Sequence, residues 1–252
     1  MVKNLLAGLL LLSCFSTVRS EGLRFLFIGD SITDGNWGNG NGAKPSGERN
    51  LWDMNHIYGH GYMYLCAVHF QGDFPEEDYR FFNRGISGNT LDDLENRWDK
   101  DVLELRPDVL SVLIGTNDVS VFLKNKNAGG EFDFDKWEKC YRQLLDKALK
   151  ENPDLKIVLC APFVGNTGKM KNSTDYEERE DLVRQCARVV ERIAKDYDAV
   201  YVPFDGLFDE LLSMRAVSDT YWIWDGIHPT PAGHKRMADM WIEAVGDRLN
   251  LH

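Results

Sequence analysis

Short apolar runs alternate along this chain with longer stretches in which apolar residues recur every three or four positions. Phe25-Leu26-Phe27-Ile28, Tyr79 to Asn83, Val109 to Ile114, Ile157 to Cys160 and Ala199 to Val202 have the length and the aromatic or β-branched content of buried strands. Between them lie helical spacings. Tyr62, Leu65, Cys66 and His69 predict a helix over 61–70. Leu91, Leu94, Trp98, Val102 and Leu105 predict one that stops before Pro107, and Trp137, Tyr141, Leu144, Leu145 and Ala148 one closed by Asn152-Pro153. Leu182, Cys186, Val189, Val190 and Ile193 mark another, and a last helix is expected from Pro231 to Leu249. Crossovers of this length suit right-handed βαβ units, so the expectation is an α/β fold with a mainly parallel five-stranded sheet covered by helices on both faces.

The chain has 252 residues, 43% of them hydrophobic, enough for one core. Residues 1–20 read as a signal peptide, with Lys3 before the apolar run Leu5 to Leu12 and small-residue sequence at Val18-Arg19-Ser20. This predicts export of a single domain over 21–252. The run is too short for a stable transmembrane segment. Leu11-Leu12-Ser13-Cys14 also resembles a bacterial lipoprotein box, which would make Cys14 a lipid anchor. Net charge is −11, and beyond residue 20 the chain carries 27 basic against 40 acidic residues. A surface this acidic disfavours nucleic acid and anionic membranes and suits a neutral substrate. Cys66, Cys140, Cys160 and Cys186 fall at apolar positions, where buried free thiols are expected; their spacing makes no metal knuckle. His56 and His60 are four apart, but Gly59 and Gly61 break the helix a ligand pair would need.

Chemistry concentrates where strands end. Gly29-Asp30-Ser31 follows the first strand, Gly85-Ile86-Ser87-Gly88-Asn89-Thr90 the second and Gly115-Thr116-Asn117-Asp118 the third; Asp225-Gly226-Ile227-His228-Pro229 lies near the C-terminus. In a parallel sheet these turns converge on one rim. Ser31 can act as a nucleophile if a base takes its proton, and a turn lets Asp225 hold one nitrogen of His228 while the other faces Ser31. The Gly88 N–H and the Asn117 amide are candidate oxyanion donors, Gly88 because no Cβ hinders approach. Read plainly, Ser31 and Asn117 are helix caps and Gly88 a turn glycine. A metal held by Asp225, His228 and His234 would leave Ser31 and Asn117 unexplained. Trp37, Trp52, Trp222 and Trp224 are candidates for a sugar-stacking wall, though tryptophans also fill cores. Asn172-Ser173-Thr174 matches a glycosylation acceptor.

Together these blocks, in this order, resemble the SGNH (GDSL-type) hydrolase family, with Ile32 where the family name has Leu. The resemblance implies a flavodoxin-like three-layer α/β/α sandwich and ester hydrolysis with neither metal nor organic cofactor. By motif it makes Ser31 the nucleophile and, through its own N–H, an oxyanion donor with Gly88 and Asn117; His228 becomes the base and Asp225 its partner. Export, surface charge and tryptophans favour a small-molecule or polysaccharide ester, with carbohydrate deacetylation ahead of a lipid or acyl ester of lysophospholipase or thioesterase type. A non-catalytic glycan-binding protein on the same scaffold is the reading from another class.

Overall fold

The computed structural model describes residues 22–35, 44–49, 56–126, 130–214 and 216–251. Residues 1–20 with Cys14, expected as a signal peptide, and also Trp37 and Trp52, lie outside them. Strands β1 (Arg24–Gly29), β2 (Arg80–Gly85), β3 (Val109–Leu113), β4 (Lys156–Cys160) and β5 (Val200–Val202) form one sheet in the order β2-β1-β3-β4-β5, every pair parallel. This is the flavodoxin-like order, and its direction of growth reverses between β1 and β3. The helices are α1 (Ser31–Asp34), α2 (Ser46–Arg49), α3 (Tyr62–Asp73), α4 (Leu91–Trp98), α5 (Thr116–Asn125), α6 (Phe134–Glu151), α7 (Tyr176–Asp196), α8 (Phe204–Ser213) and α9 (Pro231–Leu249).

Strand alternation divides the core in two. Phe25 and Phe27 pack with α3, α8 and α9, while Leu26 and Ile28 pack with α4, α6 and α7. On the first face Phe25 stacks on Phe81 with centroids 4.7 Å apart and meets Trp241 edge-on. Burying each such ring contributes roughly 1.5–3 kcal/mol. Ser111 is the polar exception in the middle of β3; its hydroxyl accepts from the Trp241 indole at 3.0 Å, which satisfies both groups. Among the described residues no helix is long and apolar enough to cross a membrane.

Several expectations need correction. In α3 the inward residues are Tyr62, Met63, Cys66, Ala67 and Phe70, so Leu65 and His69 sit half out and His69 pairs with Asp73 at 2.7 Å. The helix from Leu91 does not run on regularly: after Trp98 it widens into a π-turn over Asp99–Leu103, which carries Asp101 inward to Arg97 and Arg84. The patterning missed α5 and α8 altogether. All four described cysteines are free, with Cys66, Cys160 and Cys186 buried, but Cys140 is only half-buried.

Two features of the rim carry cost. Gly29 and Gly85 stand opposite each other at the ends of β1 and β2. A Cβ on Gly85 would lie 2.3 Å from the Asp34 nitrogen, and one on Gly29 2.3 Å from the Leu113 carbonyl oxygen. Only bare backbone lets α1 lie across the strand ends. The second feature is Asp118, whose Oδ1 accepts from the Leu91 N–H at 2.9 Å and the Trp137 indole at 2.8 Å, tying α5 to α4 and α6. Its Oδ2 has no hydrogen-bond partner among the described residues, and burial pushes the carboxyl up to about 6 against the pull of those two donors.

Gly85→Ala should therefore destabilise the protein by about 1–3 kcal/mol in urea melts, through overpacking against α1. Asp118→Asn keeps the accepting oxygen and removes the buried charge. An acid whose pKa is raised by folding stabilises below the unfolded value near 3.8 and loses that contribution as pH climbs through about 6. The variant should accordingly gain melting temperature over the parent at pH 7.5 and lose the gain at pH 4; an equal shift at both would contradict the burial account.

Candidate active site

Ser31 begins α1 immediately beyond β1. The preceding Asp30 caps that turn, its Oδ1 accepting the Ile32 N–H at 2.9 Å, and Gly35 closes it in the left-handed conformation. Across the rim, residues 222–230 fold back on themselves. An antiparallel bridge joins Ile223 and Pro229, the Trp224 N–H donates to the His228 carbonyl, and Gly226 turns the tip at φ +94°. The 165–168 loop braces this hairpin: the Gly165 N–H donates to the Gly226 carbonyl and the Thr167 hydroxyl to that of Ile223. Pro231 then starts α9 behind Thr230, whose hydroxyl caps it.

This frame places Ser31 Oγ 2.9 Å from His228 Nε2, and His228 Nδ1 2.8 Å from Asp225 Oδ2. Asp225 Oδ1 accepts two more donors, the backbone N–H groups of His228 and Ile227 at 2.8 and 3.0 Å. Burial opposes the charge on Asp225, but the His228 ring and these two amides outweigh it and hold the carboxyl below its usual range. An ionised carboxylate can only accept, so the ring proton sits on Nδ1 and the lone pair of Nε2 faces the Ser31 hydroxyl.

The expected oxyanion donors are Ser31, Gly88 and Asn117. Neither the Ser31 nor the Gly88 N–H is spent on a hydrogen bond among the described residues. Gly88 occupies φ +80° and a Cβ there would meet nothing within 4 Å, so glycine answers the backbone angle rather than lack of room. Asn117 Nδ2 donates to Asp30 Oδ2 and to the Asn89 carbonyl, each at 3.2 Å, which links the turn of Ser31 to the turn of Gly88. Arg97 secures the same junction from behind, donating to the carbonyls of Gly29 and Arg84 and to Asn89 Oδ1. Arg97 and Asp30 were not singled out from the sequence, where Asp30 stands only as part of the Gly29-Asp30-Ser31 turn.

The remaining candidates separate. Trp224 is 44% exposed and stacks on the His228 ring with centroids 6.0 Å apart, with Lys169 Nζ over its own ring at 5.9 Å. Trp222 instead packs against the core. His234 stands apart from Asp225: its Nδ1 accepts the Tyr62 N–H at 3.1 Å, and burial, helped by His228, pushes it down to about 4, so it stays neutral. His56 and His60 are hydrogen-bonded to each other at 2.9 Å.

A serine hydroxyl on an oriented imidazole, beside free backbone donors, is an arrangement able to perform acyl transfer. Residues 27–236 match the model of the GDSL-like lipase/acylhydrolase family. The chain is 34% identical over 234 residues to an acetylxylan esterase of Geobacillus stearothermophilus, spanning 90% of this chain and 95% of that protein. A catalytic mutant of Axe2, an acetylxylan esterase from the same organism, has a solved structure that aligns with a TM-score of 0.72 at 31% identity over 90% of this chain and 95% of that one. A Parabacteroides merdae protein described as a GDSL-like lipase aligns at 0.74 and 31% identity, over 90% and 96%. The fold, the order of the motifs and these likenesses converge: the chain belongs to the GDSL-like lipase/acylhydrolase family and is a carboxylic ester hydrolase.

Proposed function

We propose that the protein is an exported serine esterase that removes acetyl groups from a carbohydrate through an acyl-enzyme. The observation that carries this reading is the continuous hydrogen-bonded line from Ser31 through His228 to Asp225. Ser31 Oγ attacks the acetyl carbonyl as His228 Nε2 takes its proton, and Asp225 stabilises the imidazolium that forms. The N–H groups of Ser31 and Gly88 and the amide of Asn117 receive the oxyanion. His228 returns the proton to the departing sugar hydroxyl; water then repeats the sequence on the acetyl-enzyme and releases acetate.

Support for the substrate class is twofold. Relatives that align along most of this chain are acetylxylan esterases. The exposed face of Trp224 beside the base also offers a sugar ring an apolar platform at the site. An acidic surface and the N-terminal signal sequence suit a neutral polysaccharide met outside the cytoplasm. Residues 21–252 form the one domain that does this work.

Acetate release from acetylated xylo-oligosaccharides, compared with turnover of an octanoyl ester, tests the reading. Release of acetate with slow octanoyl turnover is expected, and Ser31→Ala or His228→Ala should each lower kcat at least about 10⁴-fold. Octanoyl hydrolysis outpacing acetate release would point to a lipid esterase. Full activity in Ser31→Ala would end the serine mechanism. Trp224→Ala should raise KM for the oligosaccharide about tenfold, equivalent to ~1.4 kcal/mol, and leave that for a small aryl acetate unchanged.

A further inference from the structure

Asp30 does two things at once. Oδ1 accepts the Ile32 N–H and starts α1, while Oδ2 accepts from Asn117 Nδ2 at 3.2 Å. The first task does not need a carboxylate, because a serine or threonine hydroxyl caps a helix about as well. A carboxylate here is costly: Asp30 is 2% exposed, and burial pushes it up to about 6 even against the Ile32 N–H and the nearby His228. What the second oxygen supplies is a hold on Asn117.

We infer that Asp30 is a positioning residue whose second carboxylate oxygen fixes the Asn117 side chain as an oxyanion donor. This rests on the assignment of Asn117 to the oxyanion site made above. A side-chain amide can be turned over, exchanging its donor and acceptor ends. With Asp30 Oδ2 and the Asn89 carbonyl both facing the group, only the nitrogen end fits; the reversed amide would set oxygen against two acceptors. Both contacts lie at the long end of the N–H···O range, where a hydrogen can be shared between acceptors. A developing oxyanion can then draw one hydrogen into a three-centre bond without rotating the amide. Asn89 follows Gly88 and Asp30 precedes Ser31, so the same two contacts also set the spacing between the backbone donors.

Asp30→Ser retains a cap for Ile32 and removes the oxygen that holds Asn117. Asp30→Asn retains size and cap, but turns an N–H towards the Asn117 N–H. Each is compared with Asn117→Ala and with the corresponding double variant, using a small aryl acetate. Asn117→Ala should lower kcat about 10²- to 10³-fold, the effect of losing one oxyanion donor. Either Asp30 variant should lower kcat about 30-fold with KM within about threefold, and should cost nothing further in the Asn117→Ala background. Losses that multiply in the double variant would make Asp30 a capping residue only and overturn the inference, as would wild-type kcat in both single Asp30 variants. Unchanged kcat in Asn117→Ala would instead remove the oxyanion assignment, and the inference with it.

Discussion

The 2.9 Å contact between Ser31 Oγ and His228 Nε2 joins the end of the first strand to the turn before the last helix, 197 residues apart in the chain. Neither partner can reach the other unless the whole sheet is assembled, because β1 carries one and the hairpin ahead of α9 the other. Parallel strands in the order β2-β1-β3-β4-β5 leave a crevice where β1 and β3 send their connections in opposite directions. Ser31 and Asn117 stand at the two lips of that crevice. The absence of side chains at Gly29 and Gly85 lets α1 cross the rim closely enough to present the serine.

Around this contact the charges are arranged by solvation as much as by pairing. Asp225 collects three donors and stays ionised, which keeps the imidazole in the tautomer that can receive a proton. Asp30 and Asp118, next to Ser31 and Asn117 in the chain, are instead buried and pushed up to about 6. Buried carboxylates weaken a fold unless they are fully paired and hydrogen-bonded. Here they fix the start of α1, the start of α4 and the Asn117 amide, so stability is exchanged for geometry at the rim.

Much of this was legible in the sequence for identifiable reasons. Strands buried on both faces show as unbroken apolar runs, and the long helices of the outer layers show a clear 3.6-residue stripe. The span expected for the last helix matches α9 because Pro231 marks its first turn. The short α5 buries only Thr116 and Val119, too few residues to register as a stripe, and its opening turn is occupied by the Asn117 motif. Motif spacing singled out Ser31, Asn117, Asp225 and His228 as candidates, yet it could not show that the Asn117 hydrogens meet Asp30 and Asn89. Such contacts depend on side-chain direction at a rim assembled from four distant segments. The same limit applied to the tryptophans: Trp222 packs against the core while Trp224, two residues on, is exposed, a difference that the local sequence does not display.

The central claim is that one hydroxyl, at residue 31, is activated by the imidazole at residue 228. Treatment with a fluorophosphonate probe, followed by peptide mapping, measures this directly, since the probe bonds only to a serine whose proton is being taken. A single adduct on the peptide containing Ser31, lost in His228→Ala, is the predicted result. An adduct on a different serine, or undiminished labelling of Ser31 without the histidine, would contradict the account.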